Sequence, residues 1–68
     1  MSIRSMRIKA GLSQNKLAMA SGVAREQINR YENRRNIPDV QSLMRIRDAL
    51  GCTLDDLVAD DDEEDRDA

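Results

Sequence analysis

The chain has 68 residues, one tyrosine, and no Phe, Trp or His. That inventory suits one small domain with an aliphatic core, and it excludes a second domain and a sheet-rich fold. The formal charge of −2 conceals a split: residues 1–58 carry ten Lys/Arg against six Asp/Glu, a net of +4, whereas residues 59–68 carry seven acidic residues against Arg66, a net of −6.

Ile3, Met6 and Ala10 lie on one helical stripe, which predicts a first helix from Ile3 to Ala10 with Ser2 as N-cap and Gly11 just past its end. Leu12 follows as a plug for the core. Ser13 then caps a second helix in which Leu17, Ala18 and Ser21 recur at helical spacing. Lys16 stands where a capping box would hold Glu or Gln; it opposes the macrodipole slightly, and from there its cation can meet a phosphate. Gly22 interrupts the pattern and supplies the positive φ of a tight turn, while the small Ala18 lets another helix cross close by.

A third helix is predicted from Arg25 to about Asn33, with Val23, Ile28 and Tyr31 resuming the apolar pattern. Its cap position falls on Ala24, which relative to Ser costs about 1 kcal/mol. Gln27 or a bound phosphate is expected to meet the free backbone N–H groups there. Arg34 to Pro38 form a loop. Asp39 caps a fourth helix carrying Val40, Leu43, Met44, Ile46, Ala49 and Leu50, and Gly51 ends it. Thr53-Leu54-Asp55-Asp56 has the form of a capping box and starts a short fifth helix with Leu57 and Val58. Residues 59–68 bury almost nothing and repel one another, so they are expected to be a disordered acidic tail on a domain of residues 1–58.

Two short helices joined by a turn at Gly22 make a helix-turn-helix. The second of them carries Arg25, Glu26, Gln27, Asn29 and Arg30 on faces not needed for packing, and these side-chain types can bond base edges and phosphates in a major groove. There is no histidine, no phosphate-cradling glycine loop and no nucleophile beside a candidate base, so a non-enzymatic binding domain is expected, without metal, cofactor or small-molecule ligand. The lone Cys52 forms no internal disulfide and is expected to fill a half-buried space. With no charged-then-apolar leader and no membrane-length apolar run, a cytoplasmic location is expected.

The joint pattern resembles the lambda repressor/Cro-like (Xre) family of helix-turn-helix domains. It is carried by Ile3, Met6, Arg7, Gly11-Leu12-Ser13-Gln14, Leu17-Ala18, Gly22-Val23, Ile28, Glu32-Asn33, Pro38, Leu43, Ile46, Ala49-Leu50-Gly51 and Leu54 to Leu57. The resemblance implies an all-α, compact five-helix bundle that regulates transcription, most simply as a repressor, with helix 3 in the major groove of double-stranded DNA. By the same resemblance Gln14 bonds a phosphate and braces the recognition helix. Arg25, Glu26 and Arg30 reach base edges, with Gln27 and Asn29 flanking them, and Asn33 clamps the backbone. Arg7 and Glu32 form an ion pair joining helices 1 and 3. Arg34 and Arg35 follow as loop cations beside the phosphates. The competing reading is a protein-interaction module of the same fold that binds a toxin, phage or polymerase partner.

This chain departs from the family pattern at several places. Arg34 stands where the family usually has Gly, so it must accept an unfavourable backbone angle or end the helix differently. Arg47 replaces a small residue, and Ile8 and Met19 replace polar ones. A weak homodimer on a near-palindromic operator is expected, and the resemblance implies an interface on the loop before helix 4 and on helix 5, here Ile37, Leu57 and Val58 with Cys52 nearby. In the core, Leu17, Ile28, Leu43, Ile46, Leu50 and Leu54 are expected to be buried, with Ala18 and Gly22 packed at the crossing of helices 2 and 3.

Overall fold

A computed structural model describes residues 1–59, and all the expected elements within that range are present: α1 (Ile3–Lys9), α2 (Gln14–Ser21), α3 (Arg25–Glu32), α4 (Val40–Leu50) and α5 (Leu54–Val58). The described residues contain no strand. Apart from Ala59, the acidic tail expected over 59–68 lies outside the described residues.

Local chemistry sets most boundaries. The Ser13 hydroxyl accepts from the Lys16 backbone N–H at 3.1 Å, and the Asp39 carboxylate accepts from the Ser42 N–H at 3.2 Å. At α5 the capping box is complete, with Thr53 Oγ1 accepting from Asp56 N–H and the Asp56 carboxylate accepting from Thr53 N–H. Hydrogen bonds from the Ser42 hydroxyl and then its N–H hold the Asp39 carboxyl below its ordinary pKa.

Each helix sends one side chain to the centre: Ile3, Leu17, Ile28, Ile46 and Leu57 are fully buried, and Val23 joins them from the turn. Burying each such side chain is worth about 1.5–3 kcal/mol. In a domain this small the surface takes most of the remaining apolar positions. Leu43, Leu50 and Leu54 are accordingly half-buried rather than buried, and Met6, Leu12, Ala18, Tyr31 and Cys52 pack partly against the same cluster. Burial, and then Asp56, push the Cys52 thiol above its ordinary pKa, as suits a filler.

Four further expectations need correction. Ser2 makes no side-chain cap bond to α1. It is buried, its N–H donates to Leu57 O at 2.7 Å and its hydroxyl donates to Ala59 O, so it ties the start of the domain to α5. Gly22 has φ 76° but is exposed, and a Cβ there would meet nothing closer than Arg45 Nη1 at 3.9 Å; the turn needs glycine for its backbone angle and not for a close approach. Leu57 is fully buried, which removes it from any surface for pairing. Gln27 does not reach back to the start of α3; its Oε1 faces Asn36, whose amide donates to it at 3.4 Å.

Candidate nucleic-acid interface

α2 and α3 are held at their crossing by polar contacts as well as by Leu17, Val23 and Ile28. In the turn, the buried Ser21 hydroxyl accepts from Val23 N–H at 3.1 Å, which satisfies a donor that would otherwise be orphaned. Across the motif, the Glu32 carboxylate accepts from Arg7 Nε at 2.7 Å, Arg7 Nη2 at 3.1 Å and Gln14 Nε2 at 3.1 Å. The Arg7 side chain is 12% exposed and that of Glu32 4%. Arg7 Nη1 also donates to Leu12 O at 2.8 Å. Glu32 is thus a shared acceptor that fixes α3 against both α1 and α2, and the Arg7–Glu32 pair inferred from the family pattern is formed.

α3 divides cleanly. Ile28 points into the core and Glu32 into this polar clasp, while Arg25, Glu26 and Arg30 are exposed. An open groove is lined by Arg25, Glu26, Asn29, Arg30, Asn33 and Arg35. Three of the four residues expected to contact bases, Arg25, Glu26 and Arg30, and two of the five expected to contact phosphates, Asn33 and Arg35, meet there. Gln27 lies instead along a neighbouring depression with Tyr31, Asn36 and Ile37, which Arg35 also borders. Arg34 lines a cleft with Met1, Tyr31, Asn36, Ile37 and Pro38. Gln14 and Lys16 lie on α2, outside the groove.

The end of α3 explains the separation of the two adjacent arginines. Arg35 N–H donates to Arg30 O at 2.8 Å and Arg34 N–H donates to Tyr31 O at 3.2 Å, the bond pair of a Schellman motif. Its left-handed position is filled by Arg34 at φ 61°, where glycine is usual. Of the two alternatives left by the sequence, the chain therefore accepts the unfavourable angle. The reversal carries Arg34 to the Met1 cleft and returns Arg35 to the groove.

Asn29 is the groove residue that sequence reasoning gave only a flanking part. The Asn33 amide donates to Asn29 O at 2.9 Å and to Asn29 Oδ1, which fixes the Asn29 side chain and occupies the donors of Asn33. The i, i+4 spacing of two asparagines was the available signal. Arg47 pairs with the adjacent Asp48 at 2.8 Å at the protein surface.

No helix among the described residues is long and apolar enough to cross a membrane. A family model described as helix-turn-helix matches residues 3–57. Comparison with curated proteins and with solved structures returned no match to either.

Proposed function

The chain belongs to this helix-turn-helix family of DNA-binding regulators, and on that premise we propose that it is a sequence-specific repressor that inserts α3 in the major groove of a near-palindromic operator. The observation that carries this reading is the division of α3, whose inner side is locked by Ile28 and Glu32 while Arg25, Glu26, Asn29 and Arg30 line an open groove. Arg and Asn can bond purine edges bidentately and Glu can accept from cytosine, so the groove presents side chains suited to reading bases. Arg35 at one end, and Lys16 at the start of α2, are assigned to phosphates, which set register without reading sequence. Arg34 joins them from the other side of the turn. Gln14 and Asn33 are assigned a bracing part, since their amides hold Glu32 and Asn29.

Operator-grade affinity from one short recognition helix calls for two half-sites and a two-fold pair. We place the pairing surface on Ile37 and Val58, which are 87% and 50% exposed. Met1 links them: it lines the cleft with Ile37, and its neighbour Ser2 is bonded to Leu57 and Ala59 on either side of Val58. The patch is small, so the dimer is weak and forms cooperatively on DNA. Repression follows from occupancy of a promoter.

Selection from a random duplex library, followed by gel shifts over a salt series, tests the reading. A symmetric site bound by two chains is expected. Recovery of no sequence preference, or one-to-one binding to the selected site, would overturn the operator and the dimer respectively.

A further inference from the structure

We propose that the acidic segment 60–68 is an intramolecular occupant of the basic α3 face and competes there with the phosphates of DNA. The proposal rests on the reading of that face as the DNA-binding surface.

Charge complementarity is the first support. Glu32 is neutralised inside the domain by Arg7, so the α3 groove sets Arg25, Arg30 and Arg35 against Glu26, with Asp39 on the adjoining depression that Arg35 also borders. Residues 60–68 bring seven carboxylates and one Arg, a net of −6, against a net of +4 on residues 1–59. Such a segment presents to a row of guanidinium groups much what a phosphate backbone presents.

Placement is the second. The Ala59 carbonyl is bonded by Ser2, and the adjacent Met1 forms one wall of the cleft to which Arg34 and Tyr31 contribute. Ala59 is therefore joined, through Ser2 and Met1, to the cleft that holds Arg34, just beyond the C-terminal end of α3. Nine residues can span up to about 30 Å, whereas the eight residues of α3 cover about 12 Å. The segment can reach every arginine of the groove. Attachment through so short a connection gives it an effective concentration on the order of millimolar, enough for individually weak, salt-screened ion pairs to matter.

Displacing the segment lowers the affinity of all DNA by the same factor. A complex held by phosphates alone then falls away, while an operator complex, which adds base contacts, persists. The ion pairs within the chain have already released counterions, so they also make DNA binding less steeply dependent on salt.

The test compares the full chain with a full-length variant in which all seven carboxylates of residues 60–68 are changed to the matching amides. Two readouts are needed: backbone amide NMR spectra without DNA, and binding to a random-sequence duplex over a salt series. In the variant, the amide signals of residues 25–35 should shift, and the two spectra should converge by about 0.5 M salt, where charges are screened within a few ångströms. Duplex binding by the variant should be on the order of tenfold tighter at low salt with a steeper salt slope. Superimposable spectra at low salt, or equal affinities, would overturn the competition and leave DNA binding standing. Failure of both chains to bind any duplex would overturn the DNA-binding reading and the competition together.

Discussion

Gln14, the first residue of α2, donates its side-chain amide to Glu32, the last residue of α3, at 3.1 Å. The same carboxylate oxygen accepts from Arg7 Nη2, so the angle between the two helices of the motif is set from α1 as well. The orientation of the recognition helix is thus fixed in part at its C-terminal end, by a residue that does not line the groove.

Arg7→Ala strands the almost wholly buried Glu32 carboxylate and should cost about 3–5 kcal/mol in urea unfolding. Gln14→Ala keeps the ion pair and should cost nearer 1 kcal/mol, the net worth of one hydrogen bond. Arg7→Met combined with Glu32→Leu should recover most of the loss, because no charge is then left unpaired. Equal costs for Arg7→Ala and Gln14→Ala would show that the ion pair does not hold the helices.

Base reading and positioning should separate in a competition assay between the selected operator and shuffled DNA. Arg30→Ala and Glu26→Ala should lose discrimination, by about 1–3 kcal/mol per base contact removed. Arg35→Ala and Lys16→Ala should instead weaken binding to every sequence and lower the salt slope by about 1 each. Retention of full specificity by Arg30→Ala would refute the assignment of the groove.

The two left-handed positions flanking α3 should respond in opposite directions. Gly22→Ala introduces a Cβ at φ 76° and should destabilise by about 1–2 kcal/mol, through backbone strain alone since space is open. Arg34→Gly relieves φ 61° and should stabilise by up to about 1 kcal/mol, the gain being trimmed by the flexibility of glycine in the unfolded chain. The same change should weaken DNA binding by removing a cation. Thermal melts and gel shifts on the two variants check both halves.

The Asp39 cap gives acid sensitivity of a definite sign. Its carboxyl is held below the ordinary value of 3.8 by bonds from Ser42, so its contribution is complete above that value and is lost as pH falls through the lowered one. The thermal midpoint of the natural chain should exceed that of Asp39→Asn at neutral pH, with the gap closing in acid. A gap unchanged down to strongly acidic pH would show that the charge at the cap contributes nothing.

Interactions that run within a few residues were legible in the sequence. Ser13, Asp39 and the Thr53–Asp56 box cap the helices they were expected to cap, and the elements fall within a residue of their predicted bounds. The Arg7–Glu32 pair was legible only through the family pattern, because periodicity carries no information about partners 25 residues apart. Leu57 and Ser2 were misplaced for one reason: their positions depend on how α5 docks against the start of α1, and a five-residue helix has too few positions for its stripe to show which leucine faces inward. Gln27 and Asn33 have the right chemistry for DNA, but neighbouring amides on the folded surface engage them first.

The bonds from Ser2 to Leu57 and Ala59 bring both ends of the domain to a single point on its surface. A unit whose entrance and exit coincide can be spliced into a loop of a host protein, or opened elsewhere and rejoined, without pulling its helices apart. The exposed stretch from Arg34 to Ile37 is the natural place for new termini. Cutting there would separate the α3 groove from α4 in sequence while leaving the helix pair itself on one continuous piece of chain.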